Sequence, residues 1–288
     1  YFDGPSEPLT WGEPPFFRQW AEEHRAVREA CGLIDMSFMT KLVIAGRDAG
    51  AVLQRLSTSN IDTGKITYTQ WLHKQTGCIE ADVTVCRLPR VPWAPTDDAF
   101  LVVATDTIHR RVQAMVRREV RAGEVCGVFD MTGGLAKIDV QGPSSKAVLP
   151  SLDDLPFRGV STISIGKSAS VVAARLTYVG EHGYELFVPC EHAMDVHDAI
   201  VERGKPHGLR HVGLKALNSL RLEKGYRDFG HDIDNLDGVH DVGLSFTCDL
   251  SKDFNGKAHV LEASTKPRAR RLVSVFVGDR DAWPQPGA

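Results

Sequence analysis

The chain has 288 residues, 42% of them hydrophobic and 25% charged, with a formal net charge of −3. That balance suits a packed core in one large domain or two to three small ones, and the interspersed charges exclude a general nucleic-acid or anionic-membrane surface, which needs clustered Lys and Arg. Cys31, Cys78, Cys86, Cys126, Cys190 and Cys248 form no C-x-x-C pair, no apolar run reaches the length of a membrane span, and no basic-then-apolar segment opens the chain.

Taken in chain order, residues 1–14 are rich in Pro, Gly and Trp and are predicted to form a linker or arm. Tyr1 rather than Met opens it, so a preceding or cleaved segment is expected. Residues 15–29 carry Phe16, Trp20, Ala21, His24 and Val27 at helical spacing. Residues 33–45 are predicted as a strand and 47–56 as a short helix. Residues 66–87 alternate and carry β-branched side chains, which predicts a hairpin around Thr76 and Gly77. A Pro-rich insertion at 89–98 precedes a strand at 100–105, and Asp106 is expected to N-cap a helix reaching about residue 122.

The second half continues with a strand at 135–141, a turn at Gly142 and Pro143, and a short helix from Ser144 and Ser145. A strand pair is expected at 171–178 and 184–189, with helices at 192–204 and 212–225. Residues 272–278 read as a last strand, followed by a polar, Pro-rich tail. Hairpins dominate over βαβ units, which favours an α+β fold with antiparallel sheets. No G-x-G-x-x-G follows a strand, so no dinucleotide site of that kind is expected within the chain. His207 and His211 have H-x3-H spacing, but Pro206 and Gly208 break a shared helical face, so no metal site is expected.

Three features carry chemistry. In Arg175-Leu-Thr-Tyr-Val-Gly-Glu-His-Gly-Tyr-Glu-Leu-Phe, a turn over residues 180–183 would set Tyr178 opposite Glu185, side by side on one face. A carboxylate there accepts two parallel hydrogen bonds from a planar donor pair such as an aminopyrimidinone edge; the plainer alternative is an exposed cross-strand pair. Asp82 sits inside a strand beside Val83 and Val85, where an acid is costly unless paired or used. It is a candidate acid, base or cation stabiliser, or else a surface residue on an edge strand. The stretch Leu214-Lys-Ala-Leu-Asn-Ser-Leu-Arg-Leu-Glu-Lys-Gly-Tyr is a helix whose Arg221 and Glu223 would fix a neighbouring loop by ion pairing.

These features occur together and in order. With Gly32-Leu-Ile-Asp-Met-Ser-Phe-Met-Thr-Lys-Leu and Val140-Gln-Gly-Pro-Ser-Ser, they make the chain resemble the glycine-cleavage T-protein family of folate-dependent aminomethyltransferases from about residue 15 to 277. Ala81-Asp-Val-Thr-Val-Cys-Arg-Leu, Gly243-Leu-Ser-Phe-Thr-Cys-Asp-Leu and the apolar Leu217 look most like its sarcosine and dimethylglycine dehydrogenase branch.

The resemblance implies a multi-lobed α+β fold, with the folate-binding region over 15–266 and an incomplete C-terminal barrel starting at 267–288. It implies tetrahydrofolate as cofactor, Asp82 as the catalytic carboxylate, and Val83, Thr84, Tyr178, Glu185, Leu186 and Phe187 around the folate. The implied partners are a small N-methyl amine donor and an upstream FAD module of the parent protein. The implied compartment is the bacterial cytoplasm or the mitochondrial matrix. The implied reaction makes 5,10-methylenetetrahydrofolate; a glycine-cleavage aminomethyltransferase and a non-catalytic regulatory subunit are the alternatives.

Overall fold

The structure is a computed structural model that describes residues 13–268 and 270–279. Most of the expected arm and the end of the tail lie outside the described residues. Helix α1 (Phe17–Glu29) turns an amphipathic face inward and buries Glu23, Ala26 and Val27. It leads into β1 (Cys31–Asp35) and β2 (Thr40–Ala45). The single strand expected over 33–45 is therefore two. The Met39 N–H donates to the Met36 carbonyl at 3.1 Å and closes a turn between them. Lys41 Nζ pins that turn by donating to the Ser37 and Met39 carbonyls.

Next come α2 (Ala49–Leu56), β3 (Thr67–Leu72), β4 (Ile79–Arg87), β5 (Ala99–Ala104) and α3 (His109–Glu119). Asp106 does not cap α3; it lies in a 3-10 turn, Asp106–Ile108, and the helix starts two residues later than expected. β6 (Gly127–Asp130), β7 (Leu135–Gln141), α4 (Ser145–Val148), β8 (Val160–Ile165), β9 (Ser168–Ala174) and β10 (Gly183–Pro189) follow. α5 (Ala193–Gly204), β11 (Leu209–His211), α6 (Leu214–Glu223) and α7 (Lys257–Ser264) complete the described elements. Gly142 at the Gly-Pro turn has φ +130°, and a Cβ there would meet the Ala30 carbonyl at 2.5 Å, so only glycine fits.

The strands form a six-stranded sheet, β11-β1-β7-β10-β9-β8, and a five-stranded sheet, β3-β4-β5-β2-β6. Every pairing is antiparallel except β1 with β11. This is the expected α+β architecture. Strand alternation then sorts side chains into layers. Val43, Cys86 and Val103 of the smaller sheet pack with Leu135, Val172 and Phe187 of the larger, so the sheets face each other. On the outer side of the smaller sheet, Leu42, Val83 and Val85 pack with Val52 and Leu53 of α2 and Val112 of α3. On the outer side of the larger, Ile138, Val140 and Leu186 pack with Val196 and Ile200 of α5. Helices therefore cover the outer faces, and the inward faces carry an apolar cluster together with the polar side chains described below.

Residues 272–278 do not form the expected strand. The Leu272 N–H donates to the Asp241 carbonyl at 2.8 Å, but Phe276 is 98% exposed and no ladder forms among the described residues. An extended run becomes a strand only when a neighbour takes its N–H and C=O groups. Among the described residues no helix is long and apolar enough to cross a membrane.

Candidate active site between the sheets

The β3–β4 hairpin fixes Asp82. Its register places Gln70 directly opposite Asp82 and Tyr68 opposite Thr84. Gln70 Nε2 donates to Asp82 Oδ1 at 2.8 Å, and the Tyr68 hydroxyl reaches diagonally to Oδ2 at 3.0 Å. Gln70 Oε1 is in turn held by the Thr247 hydroxyl, which fixes the amide's orientation. Burial raises the Asp82 carboxyl to about 6, against the lowering effect of the Gln70 and Tyr68 bonds and of Arg227; the nearby Asp228 adds to the rise. Burial and the Asp82 charge push the Tyr68 phenol well above its ordinary value, so it stays a donor. The result is a half-buried, doubly held carboxylate that exchanges its proton close to neutrality.

Beside it runs the loop after α6. Arg221 of that helix is only 4% exposed. It pairs with Asp232, lies 3.9 Å from Asp228 and donates to Asn218 at 2.8 Å, so it clamps the loop as the sequence suggested. Its neighbour Glu223 binds Arg28 at 2.8 Å and His24 at 3.2 Å instead, tying α6 to α1. The Tyr178 hydroxyl donates to the Arg227 carbonyl at 2.9 Å, and its ring stacks on Tyr226 with centroids 5.9 Å apart. Burial, then Asp228, raises the Tyr178 phenol. Arg227 is itself fixed by the Val242 and Gly225 carbonyls at 2.8 and 2.7 Å.

The expected pairing of Tyr178 with Glu185 does not form. Glu185 lies opposite Ala174 on one side and Asp139 on the other. β9 ends at Ala174, so the connection spans residues 175–182 instead of 180–183. Thr177 is the cause: its hydroxyl accepts the Val179 and Gly180 N–H groups and turns the chain before Tyr178 can join the ladder. Glu185 instead meets Lys137, whose Nζ lies 3.2 Å from Glu185 Oε1 and 2.7 Å from both oxygens of Asp139. Glu185 and Asp82 still face the same interior. Cys86, on the Asp82 face of β4, has its thiol raised by burial and then by the Glu185 charge.

The remaining predicted residues divide by strand alternation. Thr84 lies on the Asp82 face of β4, and Phe187 on the Glu185 face of β10. The side chains of Val83 and Leu186 turn the other way and are taken up by the outer cores. Sequence reasoning missed Tyr68, Gln70, Thr247, Arg227, Lys137 and Asp139. The first two were within reach, since the hairpin around Gly77 already sets them opposite Asp82 and Thr84. The others come from distant segments, and no spacing marks them. Two surface hollows of about 290 and 280 Å³ lie elsewhere, the first beside Arg47 and Arg87, the second beside His240 and His259. Among the described residues no group of three or more His, Cys, Asp or Glu side chains converges as a metal cage.

Comparison with known proteins places the chain in a family and supports the fold. The family model described as the GCVT N-terminal domain matches residues 2–252. The 4-methylaminobutanoate oxidase (formaldehyde-forming) of Paenarthrobacter nicotinovorans is 36% identical over 96% of this chain and 34% of its own length. The aminomethyltransferase of Halothermothrix orenii is 32% identical over 91% of this chain and 73% of its own. The mitochondrial sarcosine dehydrogenase of Homo sapiens is 30% identical over 96% of this chain and 32% of its own. The chain thus spans about a third of the oxidase and the dehydrogenase. The glycine cleavage system aminomethyltransferase T from Bartonella henselae shares the fold, with a TM-score of 0.73 at 24% identity over 85% of this chain and 66% of that one.

Proposed function

The chain belongs to the family of the GCVT N-terminal domain, and from that premise we propose that it captures, on tetrahydrofolate, the one-carbon unit released from an N-methyl amine of the sarcosine or dimethylglycine type. The observation that carries this is Asp82: an acid inside a strand, held by Gln70 and Tyr68 and raised to about 6. The two donors satisfy the carboxylate in its half-buried place, and a proton affinity raised toward neutrality beside Arg227 and Asp228 suits acid–base work.

The residues present suit tetrahydrofolate by their chemistry. Glu185 is a carboxylate acceptor on the interior face, and Tyr178 stacked on Tyr226 offers an apolar wall next to polar groups. When bound, tetrahydrofolate supplies a nucleophilic amine. At neutral pH Asp82 is mostly ionised, so it stabilises positive charge developing beside it and accepts the proton released. Gln70 and Tyr68 hold the carboxylate so that no reorientation accompanies the reaction. The walls around Tyr178 and Phe187 keep water from an electrophile that it would hydrolyse to formaldehyde. The amine's oxidation falls to a separate FAD unit, and the setting to a bacterial cytoplasm or mitochondrial matrix.

A glycine-cleavage aminomethyltransferase is the second reading, favoured by the match to that enzyme in Halothermothrix orenii. Leu217, packed with Val27, Ile34 and Leu220 where T-proteins usually carry Arg, supports the dehydrogenase branch instead. The test supplies the chain and a sarcosine-oxidising flavoprotein unit with sarcosine and tetrahydrofolate, and measures methylenetetrahydrofolate against free formaldehyde. Wild type should give mainly methylenetetrahydrofolate, and Asp82→Asn mainly formaldehyde. Equal partition in both would reject the proposal. Turnover only with an aminomethylated lipoyl carrier would favour the second reading.

A further inference from the structure

We propose, resting on the tetrahydrofolate reading above, that Lys137 is a positioning residue. Its ammonium, shared between Asp139 and Glu185, fixes the Glu185 carboxylate as the acceptor for the two-donor edge of the pterin. Nothing in the sequence motifs points to this lysine, and the mechanism so far does not use it.

β7 lies between β1 and β10, inside the six-stranded sheet. A lysine there is rarely fully buried unless paired, yet Lys137 has only 2% of its side chain exposed. Its place on the strand explains the company it keeps. Leu135, Lys137 and Asp139 alternate onto the face that looks at the other sheet, and Asp139 is the direct cross-strand partner of Glu185. Two carboxylates opposite one another repel. Lys137 lies two residues along the same face and bonds both oxygens of Asp139 at 2.7 Å and Oε1 of Glu185 at 3.2 Å.

The cluster has an inner and an outer end. Side-chain exposure rises from 2% at Lys137 through 4% at Asp139 to 8% at Glu185. All three are buried and Glu185 is the least so, which fits the folate reading's use of Glu185 as the group that meets the ligand, with Lys137 behind it. The surrounding charges fit this division. Lys41 approaches from the facing sheet, but its ammonium is engaged by the Ser37 and Met39 carbonyls at 2.8 and 2.7 Å. Burial, then Lys137, lowers Lys41 to about 8. Burial opposes the Lys137 charge, and the Asp139 and Glu185 carboxylates together hold it above the ordinary lysine value. Burial, joined by the Glu185 charge and the more distant Asp35, pushes Asp139 up to about 7 against Lys137. Cys86 is the remaining titratable neighbour, and its thiol is raised to about 12.

The test compares wild type, Glu185→Gln and the double variant Lys137→Met/Asp139→Asn by calorimetric titration. The double variant removes one charge of each sign, so it does not bury an unpaired Asp139. Two probes are used: tetrahydrofolate, and 4-aminobenzoyl-glutamate, which has the tail but lacks the pterin. The expected result is at least a tenfold weaker affinity of the double variant for tetrahydrofolate, with the affinity for 4-aminobenzoyl-glutamate unchanged. Wild-type affinity for tetrahydrofolate in the double variant would overturn the proposal, as would equal loss of both probes, which marks a general packing defect. In either case a Glu185→Gln loss leaves the folate reading standing. If wild type binds no tetrahydrofolate, or Glu185→Gln binds it normally, the folate reading falls and takes the role of Lys137 with it.

Discussion

Asp82 accepts two good hydrogen bonds and still titrates at about 6, because burial outweighs them. The consequence for stability has a definite sign. An aspartate titrates near 3.9 in an unfolded chain, so its folded value is raised. The favourable contribution is fully present below about pH 4 and is lost as the pH rises through 6. The two-unit gap corresponds to ~3 kcal/mol at most. Asp82→Asn is therefore expected to unfold several degrees higher than wild type at pH 8 and to lose that advantage near pH 4, while abolishing folate-dependent turnover. Thermal melts across pH 4–8 check this; a variant less stable than wild type at pH 8 contradicts it. Gln70→Leu removes a bond that lowers Asp82. The acid limb of kcat/KM should then move up by about half to one pH unit. An unmoved limb would mean that Gln70 does not tune the acid.

At the scale of elements, local and distant information separate. The β3–β4 hairpin was legible because Thr67–Leu72 and Ile79–Arg87 alternate and Gly77, at φ +72°, marks the turn. Asp82 was legible for the same reason, as an acid in an otherwise β-rich run. The β9–β10 register was not. The run to Tyr178 keeps a strand-like composition, and only the Thr177 hydroxyl, bonding forward to Val179 and Gly180, ends the ladder early. Lys137 and Asp139 were passed over inside a plain strand, because their partner Glu185 lies on another strand that only the assembled sheet sets beside them. The clamp from α6 was foreseen in part: Arg221 fixes the 226–232 loop through Asp232, whereas Glu223 reaches back to α1. Arg221→Met leaves Asp232 without its buried partner. It should cost about 3–5 kcal/mol of stability and lower kcat by releasing Arg227 and Asp228. Urea denaturation and steady-state rates measure both; a neutral effect on stability would mean that the ion pair is not a clamp.

Taken whole, the molecule is two facing sheets whose outer sides are sealed by helices. Asp82, Asp139 and Glu185 lie on the inward faces, where Cys86 and Phe187 already bring the two sheets into contact. Asp82 from the smaller sheet and Glu185 from the larger both look into this interior, and a ligand held between them binds only the assembled pair of sheets. Ligand and fold are then linked. Tetrahydrofolate at one hundred times its Kd should stabilise the chain by ~2.7 kcal/mol, read as a rise in the urea midpoint. Phe187→Ala, which opens the contact between the sheets, should cost about 3–5 kcal/mol and weaken that linkage in the same titration.

The most direct test of the central claim is calorimetric titration of tetrahydrofolate into the wild-type chain and into Glu185→Ala. Saturable binding by wild type that is lost in the variant is the predicted result. A folded wild-type chain that takes up no tetrahydrofolate, or a variant that binds it as well as wild type does, would contradict the assignment of the folate site to the space between the sheets.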